Sequence, residues 1–166
     1  LFVGGFQHPP NIDAVQWFLG EVWPLIHTRA PHIRVRIVGS KMPDGLRQLA
    51  GPGVEILGFV PDLDPLLARS RISIAPLRYG AGVKGKVNQA MAHGLPVVAT
   101  QTGVEGMHLL PDTEVLVAQD PAGFAEAVVR LHDNRELWER LAQGGKNNIE
   151  RTFSRRVARE TLRGLL

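Results

Sequence analysis

Short apolar runs alternate with longer amphipathic stretches along this chain. Leu1-Phe2-Val3, then Ile33, Val35, Ile37 and Val38, then residues 54–57, 72–75, 97–100 and 115–118 read as strands. Between them, apolar positions recur at helical spacing. Ile12, Val15, Phe18, Leu19, Val22 and Ile26 define one face, with Asn11 or Asp13 as its cap. Pro24 sits inside that pattern and is expected to kink or split it. Short helices are expected over 46–50 and from an Asp62 cap through Ala68. Residues 84–93 form another, with Val87, Ala90 and Met91 along one face and Gly94 behind its end. Asp120-Pro121 opens a helix carrying Phe124, Ala127, Val128 and Leu131. A further helix spans roughly 135–149, with a bend expected at Gly144-Gly145, and Ser154 caps a last one to Leu166.

Strand interiors are nearly all apolar, and strands alternate with helices. That pattern implies an α/β fold: a doubly wound parallel sheet with helices on both faces. Ligands of such sheets bind beyond the carboxyl ends of the strands. Glycine-bearing loops fall there: Gly4-Gly5, Gly39-Ser40, Gly58 and Gly80-Ala81-Gly82. Residues 102–106 are expected to form one more glycine-marked loop.

The stretch 72–100 is the most informative. It reads strand, glycine loop, helix, strand. The leading amides of a helix lack internal partners and carry partial positive charge. Lys84 and Lys86 add full charges in the same turn. A phosphate or diphosphate fits this arrangement, although a plain βαβ unit with solvated lysines fits the loop as well.

Composition narrows the class. The 166 residues are 44% hydrophobic and 21% charged, an ordinary globular mix for one domain over 1–166. No run is long and apolar enough for a membrane span. With no cysteine, disulfides and thiolate chemistry are excluded, and a cytoplasmic setting is the simplest expectation. Net charge is +3 and the sequence pI about 9.8. The basic residues are scattered apart from Arg151, Arg155, Arg156, Arg159 and Arg163, and aromatics are only 6% of the chain, so nucleic acid is not the expected partner. An acidic membrane surface, or another part of a longer protein, suits that basic end better. The chain opens inside a strand and lacks an initial Met, so it reads as a fragment.

Four segments now carry a family: GGFQHPPN, VRIVGS, VEILGFVPDL and, above all, APLRYGAGVKGKVNQAMAHGLPVVATQTGVEG. Over essentially its whole length the chain resembles the C-terminal half of a group 1 (GT4-like) retaining glycosyltransferase of GT-B fold. That resemblance implies a Rossmann-like domain that binds a nucleotide-sugar (NDP-sugar) donor, with hexosyl transfer to a glycan or lipid-linked acceptor. It implies a missing N-terminal acceptor-binding domain, polysaccharide assembly as a setting, and no metal or other cofactor. Gly4 and Gly5 would lie near the diphosphate and reacting sugar. Gly39 and Ser40 would border the nucleoside pocket, and Gly58, Phe59 and Val60 would touch the base. Gly80, Ala81, Gly82 and Val83 would offer amides to the diphosphate or sugar, and Thr102 and Gly103 would border the same cleft. Ala81 and Gln89 replace the family's usual glutamate pair, and Gln89 takes the ribose-binding position. The basic residues often found after the first strand are absent, so Lys84 or Lys86 is expected to neutralise the diphosphate.

No catalytic residue is assigned. Asp44, Asp62 and Asp120 fit caps or turns. Glu105 either bonds a sugar hydroxyl or starts a short helix. The six histidines show no metal-ligand spacing, and the three tryptophans fit packing positions. A Rossmann dehydrogenase is disfavoured, because the first strand leads into GGFQHPPN and not into GxGxxG. A non-catalytic nucleotide-sugar-binding module remains an alternative.

Overall fold

The structure is a computed structural model that describes residues 1–153. The terminal helix expected from Ser154, and Arg155, Arg156, Arg159 and Arg163, lie outside the described residues.

β1 (Phe2–Val3), β2 (Val35–Val38) and β3 (Val54–Gly58) form one parallel sheet. β4 (Ser73–Ala75), β5 (Val97–Ala99) and β6 (Leu116–Val117) form a second. Leu1 joins them: its nitrogen donates to the Ile72 carbonyl at 2.8 Å, and its carbonyl accepts from the Ile74 N–H at 2.9 Å. The joined order is therefore β3-β2-β1-β4-β5-β6, and the winding reverses between β1 and β4. Ligands of doubly wound sheets bind at that reversal.

The helices are α1 (Pro9–Trp17), α2 (Trp23–Arg29), α3 (Asp44–Arg47), α4 (Asp64–Arg69), α5 (Gly85–Ala92), α6 (Gln101–Val104), α7 (Pro121–Asp133) and α8 (Arg135–Asn148). Successive strand residues face opposite sides of the sheet. Ile74, Val98 and Leu116 accordingly join Val15, Phe18, Ile26, Phe124 and Leu131 in one cluster, under α1, α2 and α7. Ala75, Val97 and Ala99 join Val87, Ala90 and Met91 in the other, under α5. The expected α/β sheet with helices on both faces is thus present.

Several boundaries differ from the sequence pattern, each for a local reason. α1 starts at Pro9, and neither Asn11 nor Asp13 caps it; Asn11 bonds the Gly5 carbonyl and Asp13 pairs with Arg78. Pro24 produces a π-helical turn over Phe18–Val22, where the Trp23 N–H reaches back to Phe18. The widened turn absorbs the missing donor and the ring. Ile33 is buried but precedes β2. Asp62 stands two residues before α4 and accepts the Asp64 N–H at 3.0 Å as a turn residue. The expected loop at 102–106 is largely helical: Gln101–Val104 form α6, because Thr100 supplies a side-chain cap. Gly144 and Gly145 do not bend α8. A β-carbon at Gly144 would overlap the Thr113 carbonyl, and one at Gly145 would meet Met91, so these glycines permit close packing of an unbroken helix. As expected, Asp120 caps α7, and Trp17 and Trp23 pack in the core.

Candidate functional site

Beyond the carboxyl ends of β1 and β2 lies a cleft of about 330 Å³. β1 runs into Gly4 and Gly5 on its wall, and β2 into Gly39 and Ser40. The segment after β3 adds Phe59 and Val60, and α5 closes the cleft with Lys86 and Gln89. Phe59 is 70% exposed, so its ring stands open at the mouth.

The glycines allow the strand ends to converge. The Gly4 N–H donates to Val38 and the Gly39 N–H to Gly58, at 2.9 and 2.8 Å. A β-carbon on Gly39 would overlap the Gly4 carbonyl. Gly58 has φ +70°, a left-handed conformation at the bulge where Val38 pairs with Gly58. It supports the wall from behind and does not line the cleft.

The two lysines occupy different places. Lys84 is buried, and its ammonium donates to the Gly82 carbonyl at 2.7 Å and to Gly80 at 3.4 Å. It ties down its own loop. Lys86 lines the cleft, donates to the Asn11 side-chain oxygen and lies 4.3 Å from the centre of the Phe2 ring. Burial, with a smaller contribution from the Lys84 charge, lowers Lys86 to about 8. The sequence offered Asn11 only as a helix cap. Its buried amide lines the cleft, and only the fold shows this.

Other expected residues lie apart from the cleft wall. Ala81, Gly82 and Val83 are exposed, and Gly80 packs on Pro10. The Arg78–Asp13 pair ties the same loop to α1. Thr102 sits on α6 with its hydroxyl 3.5 Å from the Arg78 carbonyl. Gly103 is buried where a β-carbon would lie 2.5 Å from the Ala75 carbonyl, which by itself accounts for glycine there. Glu105 is exposed and ends α6.

At the opposite, amino end of the strands is a second cavity of about 240 Å³, walled partly by Arg34, Arg36, Arg69 and Arg71. Beside it His32, His132 and Asp133 bring ligand-type atoms within 4.8 Å of one another. The histidines are far apart in sequence, so spacing could not reveal this. The Asp133 carboxyl is held low chiefly by its hydrogen bond to His132. The neighbouring arginines oppose binding of a cation. No helix among the described residues is long and apolar enough to cross a membrane.

A parallel, doubly wound sheet with a glycine-walled cleft at its reversal defines an α/β domain of the class whose ligands bind at that reversal. The sequence profile described as "Glycosyl transferases group 1" matches residues 1–134, and the chain belongs to that family. An "Uncharacterized 44.6 kDa protein in cps region" of Klebsiella pneumoniae is 25% identical, covering 92% of this chain and 42% of the relative. The phosphatidyl-myo-inositol mannosyltransferase of Mycobacterium leprae is 28% identical, covering 98% of this chain and 45% of the relative. The chain thus spans less than half the length of these curated relatives. A crystal structure of an S. aureus TarM variant "in complex with Fondaparinux, alpha-GlcNAc-glycerol and UDP" superposes with TM-score 0.82 at 16% identity, covering 99% of this chain and 34% of that one. The fold is therefore that of one half of a GT-B glycosyltransferase.

Proposed function

We propose that this chain is the donor-binding half of a retaining group 1 (GT4-like) glycosyltransferase. It binds an NDP-sugar, and the full-length protein moves the hexosyl group to a glycan or lipid-linked acceptor in polysaccharide assembly. The observation that carries this reading is the placement of Lys86 on the cleft wall. It is a cation with no carboxylate partner among the described residues, set at the start of α5 and facing the glycine backbone of β1 and β2.

Transfer from a nucleotide donor requires stabilisation of the departing diphosphate. Fixed cations and oriented amides provide it where negative charge develops. Lys86 and the first turn of α5 supply both elements here. Gly4, Gly5, Gly39 and Ser40 let a nucleotide approach main chain, with the base toward Phe59 and Val60. Gln89 offers an uncharged acceptor for ribose hydroxyls, weaker than a carboxylate. The loop at Gly80 to Val83, with Thr102 and Glu105, would meet the sugar from above the cleft. The described cleft wall carries no carboxylate and so supplies no acid–base pair; acceptor activation falls to the missing N-terminal domain, and no metal or other cofactor is invoked. The reading places the full protein in the cytoplasm, peripherally at the inner membrane face, where lipid-linked acceptors are met.

The test is calorimetric titration of the chain with UDP, GDP, ADP, their nucleosides and NAD. Binding of one diphosphate, with its nucleoside much weaker, is expected. Preference for NAD would overturn the reading. Binding without turnover by the full-length protein would identify a non-catalytic sugar-nucleotide module instead.

A further inference from the structure

The cation of the cleft is held by a side-chain amide and not by a carboxylate. Arg36, Arg78 and Arg151 each meet a carboxylate: Glu55, Asp13 and Glu114. Lys86 meets a neutral amide. We propose that Asn11 is the positioning residue of the cleft, holding the Lys86 ammonium on the wall with its charge uncompensated so that it receives a diphosphate. This rests on the reading of the cleft as a donor site.

Asn11 lies in the first half of α1 and is only 8% exposed. A buried amide must have its donors and its acceptor satisfied. Its Nδ2 donates to the Gly5 carbonyl at 2.8 Å, and its Oδ1 accepts from Lys86 Nζ. The orientation is unambiguous, because a carbonyl only accepts and an ammonium only donates. The amide therefore ties the loop after β1 to α5, the two walls that meet across the cleft.

Substitution logic favours an amide here. An apolar residue would leave the Gly5 carbonyl and the ammonium short of a partner. A carboxylate would hold Lys86 but cancel its charge, and would also set an anion against the Gly5 carbonyl. The amide satisfies both neighbours and cancels nothing. The Phe2 ring, 4.3 Å from Nζ, adds attraction without a formal negative charge. Gly4 fits the same picture, since a β-carbon there would lie 2.9 Å from Asn11 Cγ. A partly buried ammonium lacking a counter-ion is costly, and an arriving anion relieves that cost. The lowered Lys86 proton affinity is the sign of that cost in the ligand-free protein.

The decisive comparison is Asn11→Asp with Asn11→Ala. Each variant is titrated calorimetrically with UDP, GDP and ADP and with their nucleosides. Lys86 is titrated in the ligand-free chain by NMR of its ε-carbon. Asn11→Asp is expected to move the Lys86 titration up toward the ordinary lysine range and to weaken diphosphate binding about tenfold or more, with nucleoside binding little changed. Asn11→Ala is expected to weaken diphosphate binding as well, without the upward move. Equal losses for diphosphate and nucleoside, or an unmoved Lys86 titration in Asn11→Asp, would overturn the positioning role. If either variant fails to fold, the unaltered chain still decides. The Asn11 side-chain amide resonances must shift as Lys86 titrates and again when the diphosphate binds, and amides indifferent to both would overturn the proposal. A chain that binds none of the three diphosphates overturns the donor reading itself, whereas binding with indifferent Asn11 amides sinks the positioning role alone.

Discussion

Gly39 lies so close to the Gly4 carbonyl that no β-carbon fits between them. The contact is backbone against backbone, so no side chain can rotate away to relieve it. Gly39→Ala is expected to cost about 1–3 kcal/mol or more, as overpacking does in a close-packed interior. Gly45→Ala is the control. Gly45 lies in α3 with open space around its β-position, and the change is expected to be neutral or to stabilise by up to about 1 kcal/mol. Urea midpoints of the two variants give the comparison. A Gly39→Ala protein as stable as the parent would show that the strand ends do not converge as described.

This contact also shows what the sequence could and could not reveal. That a glycine ends β2 was legible, and so was the doubly wound sheet, because both come from local pattern: β-branched runs, turn residues and helical spacing. That Gly39 packs on Gly4 depends on which strand lies beside which. The same holds for the cleft. Its glycines, Lys86 and Gln89 could be named from strand-end position and resemblance, and they do line one cavity. Asn11 could not be placed there, because as a small polar residue near a helix start it carries the signature of a cap. Lys84 and Lys86 look alike in sequence, and only the loop geometry separates a tether from a cleft-facing charge. The expected loop at 102–106 concealed α6 because two glycines in five residues read as a turn. Packing on Ala75 and the Thr100 cap outweigh that propensity.

Thr100 gives the second test. Its hydroxyl donates to the Leu77 carbonyl and accepts the Gly103 N–H at 3.2 Å, and the residue is only 2% exposed. One side chain thus fixes the segment after β4 and the start of α6. Thr100→Val keeps the shape and strands both partners, with an expected loss of about 1–3 kcal/mol. Thr100→Ser retains the hydroxyl and should lose less. Denaturant unfolding of both variants measures this; equal stability of the two would show that the hydroxyl contributes nothing.

Lys84 should behave as a tether. Its ammonium bonds the Gly82 and Gly80 carbonyls, and these glycines have φ of +84° and +118°. Lys84→Met removes the bonds while keeping much of the buried stem. Faster hydrogen exchange across 80–83 is expected, with a smaller loss of diphosphate affinity than in Lys86→Met. The reverse order of affinity losses would mean that Lys84 is the anion-binding cation.

Lys86 couples the cleft to pH with opposite signs for stability and for binding. Its folded-state value of about 8 lies below the ordinary 10.5, so folding disfavours its charged form. Between these two values the unfolded chain holds more proton on this lysine than the folded one does. Stability contributed by this group is therefore lowest below pH 8 and rises as pH climbs toward 10.5. On the donor-site reading proposed above, diphosphate binding requires the ammonium, so affinity should fall as pH rises through about 8. The groups around Lys86 are the neutral Asn11, the Phe2 ring and the Lys84 charge, and none of these supplies a carboxylate. Two measurements separate the signs. The stability difference between the parent and Lys86→Met, followed by urea unfolding across this range, should shift in favour of the parent as pH rises. Calorimetry with the bound diphosphate at pH 8.5, in buffers of unlike ionisation enthalpy, should show proton uptake that Lys86→Met abolishes. Proton uptake that persists in Lys86→Met would assign the titration to another group and remove Lys86 from the diphosphate site.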